Sequence, residues 1–342
     1  MIYIFINVGE FGYELLNWQG VVRKFSETIS QDDKIVIVGR KGLESWYEYS
    51  DQYIDISHLS QYSESVADCF WCHFGDFIRE GGRVDDMNNE ILSYVSSKIK
   101  FDVTEDNHKI VMSNQNRTMG GVVLNGLRFG GDSSPHSWGR VSNSIYGQEP
   151  YVLPLENNKF VKIEPNEKNI KKIEKVLGFN LKEPYIICQT GWRQSIQRCD
   201  IVIPKEKLIE KIAKKVKVVL LGFRSSNKLD SYSEFESMEN CYNYNVSSFE
   251  EQSCLINNSN DCLFFTEGDF RSHTYVPPFL GKDVYTIASE KVYGLLSGIT
   301  AINFWNDNIF KFGGKIKPFV YEDVFKDDES LDLMVDKLIG EK

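Results

Sequence analysis

Residues 261–289 read DCLFFTEGDFRSHTYVPPFLGKDVYTIAS. The apolar run at 262–265 stops at Thr266-Glu267-Gly268-Asp269, and a helix-like segment extends from there to Leu280. After Gly281-Lys282 a second apolar run occupies 284–288. Strand, polar glycine-bearing turn, helix and strand in this order make a βαβ unit. In open parallel sheets ligands collect at the carboxyl ends of strands, and free N–H groups at a helix start attract phosphate. The stretch therefore predicts a binder of nucleotide or phosphate.

The same rhythm extends towards both termini. At the amino end, the β-branched run 2–8 predicts a buried strand, and Gly9 and Gly12 punctuate the turn after it. Over 13–29 the residues Leu15, Leu16, Trp18, Val21, Val22 and Phe25 recur at helical spacing, so Trp18 reads as core. Strands follow at 34–38, 53–57 and 109–112, with helices at 43–49 and 86–99. Residues 113–154, rich in Gly, Ser, Asn and Arg, break this rhythm, and a loop of that length in a compact domain is usually functional or mobile. A second alternating set has helices at 167–177, 205–215 and 249–257 and strands at 185–188, 216–221 and 242–246. Residues 331–339 form a closing amphipathic helix. The predicted class is α/β, with parallel sheets flanked by helices.

At 342 residues the chain exceeds what one core usually serves. The expected division is 1–155, 156–325 and a closing segment 326–342. A net charge of −10 disfavours a general nucleic-acid coat protein, though a local basic groove would not show in the sum. No export signal opens the chain, and the run 2–8 is too short to span a membrane. The expectation is a cytoplasmic enzyme without a transmembrane segment. Of the seven cysteines, Cys188, Cys254 and Cys262 stand in apolar surroundings and read as buried free thiols. Cys69-Phe70-Trp71-Cys72-His73 matches a haem-attachment string. Without export or a second ligand pair, it is read as neither a haem nor a zinc site.

Taken together, the two alternating halves resemble a GT-B glycosyltransferase. The thread through strand 262–265, Thr-Glu-Gly-Asp, helix and Gly-Lys-Asp-Val is similar to the donor domain of the heptosyltransferase and fucosyltransferase branches. Gly9-Glu10-Phe11-Gly12-Tyr13-Glu14-Leu15 resembles the glycine-bearing first loop of those enzymes. The H-x-R-R-x-D string of the fucosyltransferases is absent, although Thr190-Gly191-Trp192-Arg193 stands at the corresponding strand end. The resemblance implies two Rossmann-like domains facing a cleft, with the first loop towards the acceptor. It implies a nucleotide sugar as co-substrate, with no further cofactor. The chain also has no Asp-x-Asp, no Walker A string, and only G-x-x-G after its first strand. These absences weaken the GT-A, NTPase and dehydrogenase readings.

Sugar transfer requires a base for the acceptor hydroxyl and positive or N–H dipole density for the departing diphosphate. The base candidates are Glu10, Glu14 one helical turn later, and His136 in the long loop. Gly9, Gly12 and Tyr13 are expected on the acceptor side. For the diphosphate, Arg193 and Arg224 each follow a strand end. Thr190, Gly191, Gly268, Asp269, Ser272 and His273 line the strand-to-helix turns around them, and Glu267 is placed to meet a ribose. Plainer roles compete: solvent-facing arginines, and helix-start acids at Glu267 and Asp269. Partners follow as a nucleotide-sugar donor and a glycan or lipid-linked acceptor, with no metal ion. Modified bases in DNA are a less favoured acceptor. A non-catalytic nucleotide or glycan binder and a sugar-nucleotide epimerase are the other classes compatible with the layout.

Overall fold

The structure is a computed structural model that describes residues 1–7, 11, 14–59, 84–113, 122–124, 127–129, 159–165, 167–192, 203–223, 235, 237–246, 248–267, 272–288 and 299–340. It divides into two compact units, Met1–Val161 and Lys162–Lys342.

Unit 1 runs β1 (Ile2–Asn7), a π-helical turn (Glu14–Trp18), α1 (Gln19–Ser26), β2 (Lys34–Gly39), a 3₁₀ turn (Glu44–Tyr47), β3 (Gln52–Asp55), α2 (Val84–Lys98) and β4 (His108–Ser113). The four strands are parallel in the order β3-β2-β1-β4. All six residues of β1 are buried because the strand is central and covered on both faces. Ile2, Ile4 and Ile6 join Val36, Val38, Ile91 and Val95 in one core on the α2 side. Tyr3 and Phe5 point the other way, edge-on to Phe25 of α1 at 5.1 and 5.5 Å. Trp18 is core, as its place on the apolar stripe predicts. The long helix expected over 13–29 instead opens with the π turn before α1 begins at Gln19. Within the stretch expected to lack rhythm, β5 (Val122–Leu124) and β6 (Leu127–Phe129) pair as an antiparallel hairpin.

Unit 2 runs α3 (Ile170–Leu177), β7 (Tyr185–Trp192), α4 (Lys205–Ala213), β8 (Lys217–Phe223), β9 (Cys241–Val246), α5 (Phe249–Asn258), β10 (Asp261–Glu267), a 3₁₀ turn (Ser272–Tyr275), α6 (Val276–Phe279), β11 (Val284–Ala288), α7 (Ile299–Asn308), β12 (Ile316–Val320), α8 (Tyr321–Val324) and α9 (Asp328–Leu338). Its sheet is six-stranded and parallel, in the order β12-β11-β10-β7-β8-β9. Ile186 and Cys188 of β7 pack with Leu208, Ile212, Leu331 and Val335, so α4 and α9 cover one face. The other face meets α5, where Tyr185 Oη donates to the Leu255 carbonyl at 2.6 Å. Helix α5 is capped by Ser248, whose hydroxyl accepts from Glu251 N, and α9 by Asp327, which accepts from Ser330 N. The closing helix thus belongs to unit 2, where Lys207–Asp328, Lys211–Asp332 and Lys215–Asp336 pairs tie it to α4. The expected α/β class, with two parallel sheets flanked by helices, is what the structure has. Cys188, Cys254 and Cys262 are buried free thiols, as their surroundings predict.

Candidate functional site

In both units the chain reverses its direction of travel across the sheet beside the first strand. Strands β7, β8 and β9 step outward one way, and the crossover through α5 returns the chain to β10 on the far side of β7. The crevice at the carboxyl ends of β7 and β10 is therefore a topological switch point, where open α/β sheets bind ligands.

Register decides what stands there. Phe265 lies beside Thr190, Thr266 beside Gly191, and Glu267 beside Trp192. Three expected site residues, Thr190, Gly191 and Glu267, are thus gathered on two adjacent strand ends. They belong to the strands themselves, whereas the sequence predicted turns: β7 continues four residues past Cys188 and β10 two past Phe265. Arg193 follows Trp192 directly in the chain, one covalent step from the Trp192–Glu267 row. Arg193, Arg224, Gly268 and Asp269 lie outside the described residues, as do Gly9, Glu10, Gly12, Tyr13, His136 and the Cys69–His73 string. Ser272 opens the 3₁₀ turn that follows β10.

His273, expected beside phosphate, is instead 2% exposed, and its Nδ1 donates to Gln252 Oε1 of α5 at 3.1 Å. In that position it anchors the turn to α5. Among the described residues, this corner buries several uncharged polar groups. Gln189 of β7 is buried with neither amide atom partnered, and Thr286 Oγ1 of β11 and Gln252 Nε2 are likewise without partners. Gln189 pairs in register with Phe264, and Leu263 with Tyr285, so Phe264 and Thr286 follow in step. Strand alternation then turns Gln189, Phe264 and Thr286 to the sheet face opposite the Leu263–Tyr285 core. Such orphaned groups are rare in folded proteins and are normally completed by water or a ligand. No expectation from sequence included Gln189, Gln252 or Thr286. The available signal was a glutamine inside the apolar run YIICQ and a threonine inside VYTIA.

In unit 1 the equivalent switch point lies between β1 and β4, where Asn7 pairs with Ser113. Glu14 stands at the start of the π turn and is wholly buried. Its Oε2 accepts from Arg40 Nη1 at 2.7 Å and its Oε1 from Tyr47 Oη at 2.8 Å. Arg40, itself 3% exposed, directly follows β2, and its carbonyl accepts from Tyr53 Oη at 2.6 Å. Gly39 permits this closeness, since a Cβ there would lie 2.9 Å from Tyr53 Oη and 3.6 Å from Glu14 Oε1. Burial pushes the Glu14 carboxyl above its ordinary value, against the opposing pull of Arg40, Tyr47 and Asn7. Burial, reinforced by the Glu14 carboxylate, also drives the Tyr47 and Tyr53 phenols far upward. Both Glu14 oxygens are engaged within the unit, whereas its spacing one helical turn after Glu10 had made it a second candidate base. Arg40 was absent from the expected site, although its place after a strand end is the signal that singled out Arg224.

Among the described residues, no group of three His, Cys, Asp or Glu side chains gathers to hold a metal ion. Among the same residues, no helix is long and apolar enough to cross a membrane. No family model and no curated protein matches the chain. Among solved structures it is similar to a glycosyl transferase of family 9 from Veillonella parvula DSM 2008, at 12% identity, 96% of this chain, 88% of that one and a TM-score of 0.44. It is similar to the E. coli ADP-heptose lps heptosyltransferase II at 9% identity, 99% and 98% coverage and a TM-score of 0.47. It is also similar to the Methanocaldococcus jannaschii UDP-GlcNAc 2-epimerase, solved with UDP-GlcNAc and UDP, at 10% identity, 100% and 93% coverage and a TM-score of 0.39. Likeness at this level leaves each residue's role to be read from the chain itself.

Proposed function

We propose that the protein is a glycosyltransferase that moves a sugar from a nucleotide-sugar donor to an acceptor hydroxyl, with the donor held at the β7/β10 switch point. The observation that carries this reading is the β7/β10 register, which sets Thr190 and Gly191 against Phe265 and Thr266 and brings Arg193 next after the Trp192–Glu267 row. Small residues at that edge leave room for a diphosphate to approach the backbone. The Arg193 guanidinium, joined by Arg224, balances its charge without need of a divalent ion. Glu267 meets the ribose, and Gly268, Asp269 and Ser272 surround the phosphates. The unpartnered Gln189 and Thr286 support a polar ligand, or waters that accompany it, above this face.

In the reaction, Glu10 takes the proton of the acceptor hydroxyl. The acceptor oxygen bonds to the anomeric carbon as the bond to the diphosphate oxygen breaks, and the nucleoside diphosphate leaves with the negative charge. His136 is the substitute base. Glu14, with both oxygens occupied, serves the loop and does not accept the proton.

A thermal-shift series with nucleosides, nucleoside diphosphates and nucleotide sugars tests the donor site. A ligand at a hundredfold its Kd stabilises the native state by about 2.7 kcal/mol. Diphosphates are expected to raise Tm where nucleosides alone do not, and a flat response to the whole series would sink the reading. Glu10→Gln should keep the donor-induced shift while transfer falls by roughly 10²–10⁴-fold. Epimerisation of the donor in the absence of acceptor would assign the other enzyme class.

A further inference from the structure

We propose that segment 272–281 of unit 2 is a strut that carries changes at the β7/β10 edge to Ile163, next to the point where the chain passes between the units. This rests on the reading of that edge as the donor site.

The strut is held along its length. At its start, His273 Nδ1 donates to Gln252 Oε1 of α5 at 3.1 Å. Tyr275 meets Trp305 of α7 edge-on at 4.8 Å, and Phe279 meets Phe310 edge-on at 5.4 Å. The 3₁₀ turn runs straight into α6, where Pro277 and Pro278 fix two successive φ angles. Val276, Pro277, Pro278, Phe279 and Leu280 are all buried, and a close-packed interior transmits strain. The strut starts five residues after β10 ends. Helix α5, to which His273 ties it, covers the face of β7 that carries Tyr185 and, by strand alternation, Gln189.

At its far end the strut grips the first residues of unit 2. Ile163 is buried, and its N–H donates to the Phe279 carbonyl at 2.8 Å. Gly281 has a φ of +77°, and a Cβ there would lie 2.8 Å from the Phe312 carbonyl oxygen and 3.0 Å from Lys162 Cε. Glycine thus allows the Lys162 stem to cross at that point. On the unit 1 side, Lys159 N donates to the Gly20 carbonyl at 2.8 Å, and Lys159 pairs with Glu27. The Phe160 ring occupies the space a Gly20 Cβ would need, 2.8 Å away. The boundary between Val161 and Lys162 therefore falls between two backbone hydrogen bonds, one made to each unit. Only residues 160–162 separate the two bonded amides. The second bond ends on α6 and not on the sheet, so it follows the strut.

The test reads amide hydrogen exchange at Lys159 and Ile163 separately, by NMR of the full chain, with ADP and UDP as probes. Gln252→Met removes the acceptor of His273, and His273→Phe removes the same contact from the other side should the first variant not fold. Without nucleotide, exchange at Ile163 is expected to quicken at least about tenfold while Lys159 stays within about twofold of wild type. In wild type, a nucleotide that raises Tm is expected to slow Ile163 at least about threefold and to leave Lys159 unchanged. In the variant the nucleotide should still raise Tm, but Ile163 should no longer respond. Equal quickening at both amides would trace the variant to general loosening, and an unchanged Ile163 would show that the strut does not reach it. Either result overturns the proposal. A nucleotide that raises wild-type Tm without moving Ile163 also overturns it and leaves the donor reading intact. If Ile163 alone responds to the variant while neither nucleotide raises Tm, the strut stands and the donor reading falls.

Discussion

The carboxyl edges of the two sheets share a strand plan and differ in what fills them. At the carboxyl ends of β2 and β3 in unit 1, a carboxylate, a guanidinium and a phenol are buried together, and each finds its partner within the unit. Beneath the β7/β10 point of unit 2, a glutamine, a threonine hydroxyl and half of a second glutamine are buried, uncharged and unpartnered, beside the His273–Gln252 contact. The physics separates the cases. A buried charge must be paired, so the groups of unit 1 are committed to its own structure. A neutral polar group left alone costs about 1–3 kcal/mol, which a fold tolerates where something else completes it. Among the described residues, the charged groups of unit 1 are partnered and these neutral groups of unit 2 are not. The contrast fits the proposed donor site on unit 2.

The strongest way to break the contrast is to remove half of the charged pair. Arg40→Met leaves Glu14 buried and short of its main counter-ion, so the carboxyl must stay charged unpaired or take up a proton. Loss of one partner of such a pair costs about 3–5 kcal/mol. Urea unfolding of the variant should show that loss, with part of it recovered in Glu14→Gln/Arg40→Met. A cost below 1 kcal/mol would mean that water reaches the pair, and unit 1 would no longer differ from unit 2.

The reciprocal change in unit 2 should have the opposite sign. Gln189→Leu replaces an amide without partners by an apolar group of similar size. Without ligand the variant is expected to be more stable by about 1–2 kcal/mol, since an unmet desolvation cost is removed. Donor affinity should fall in the same protein. Loss of stability instead would show that Gln189 holds ordered water as part of the fold.

Much of this plan was legible from the chain, and the misses share a cause. Strand β11 falls on 284–288 as its apolar run predicts, and β1 and β2 agree to within a residue. Strands β7 and β10 were read short because Thr190, Gly191, Thr266 and Glu267 are small or polar, while the hydrogen-bond ladder continues through them. Apolar runs mark where a strand is buried and lose it at the carboxyl edge, where ligands bind. The β5/β6 hairpin was missed although Asn125-Gly126, a strong two-residue turn signal, connects its strands. The burial of Glu14 was not readable locally, because Arg40 and Tyr47 lie 26 and 33 residues away. A helical spacing shows that an acid exists and does not show what lies opposite it.

The finest test of the contrast uses a half-buried acid of unit 2. Asp261 opens β10, at the amino edge of the sheet and away from the candidate site. Burial, with repulsion from Asp283, raises its pKa from the ordinary value to about 6, while Lys317 and Lys282 pull the other way. Lys317 pairs with Asp283, and Lys282 Nζ donates to the Ser259 carbonyl, so both lysines are partly committed elsewhere. Because the folded pKa is the higher one, the native state prefers the protonated acid. Below about pH 4 both folded and unfolded chains carry the proton and no penalty arises. As the pH rises through 6 the folded chain must ionise, and stability is lost. Asp261→Asn should therefore raise Tm at pH 7.5 and leave it unchanged at pH 4. The gain should be of order 1 kcal/mol, since a half-buried site is screened by solvent. A gain of equal size at both pH values would trace the effect to packing. Asp261 would then carry no ionisable strain at the amino edge of β10.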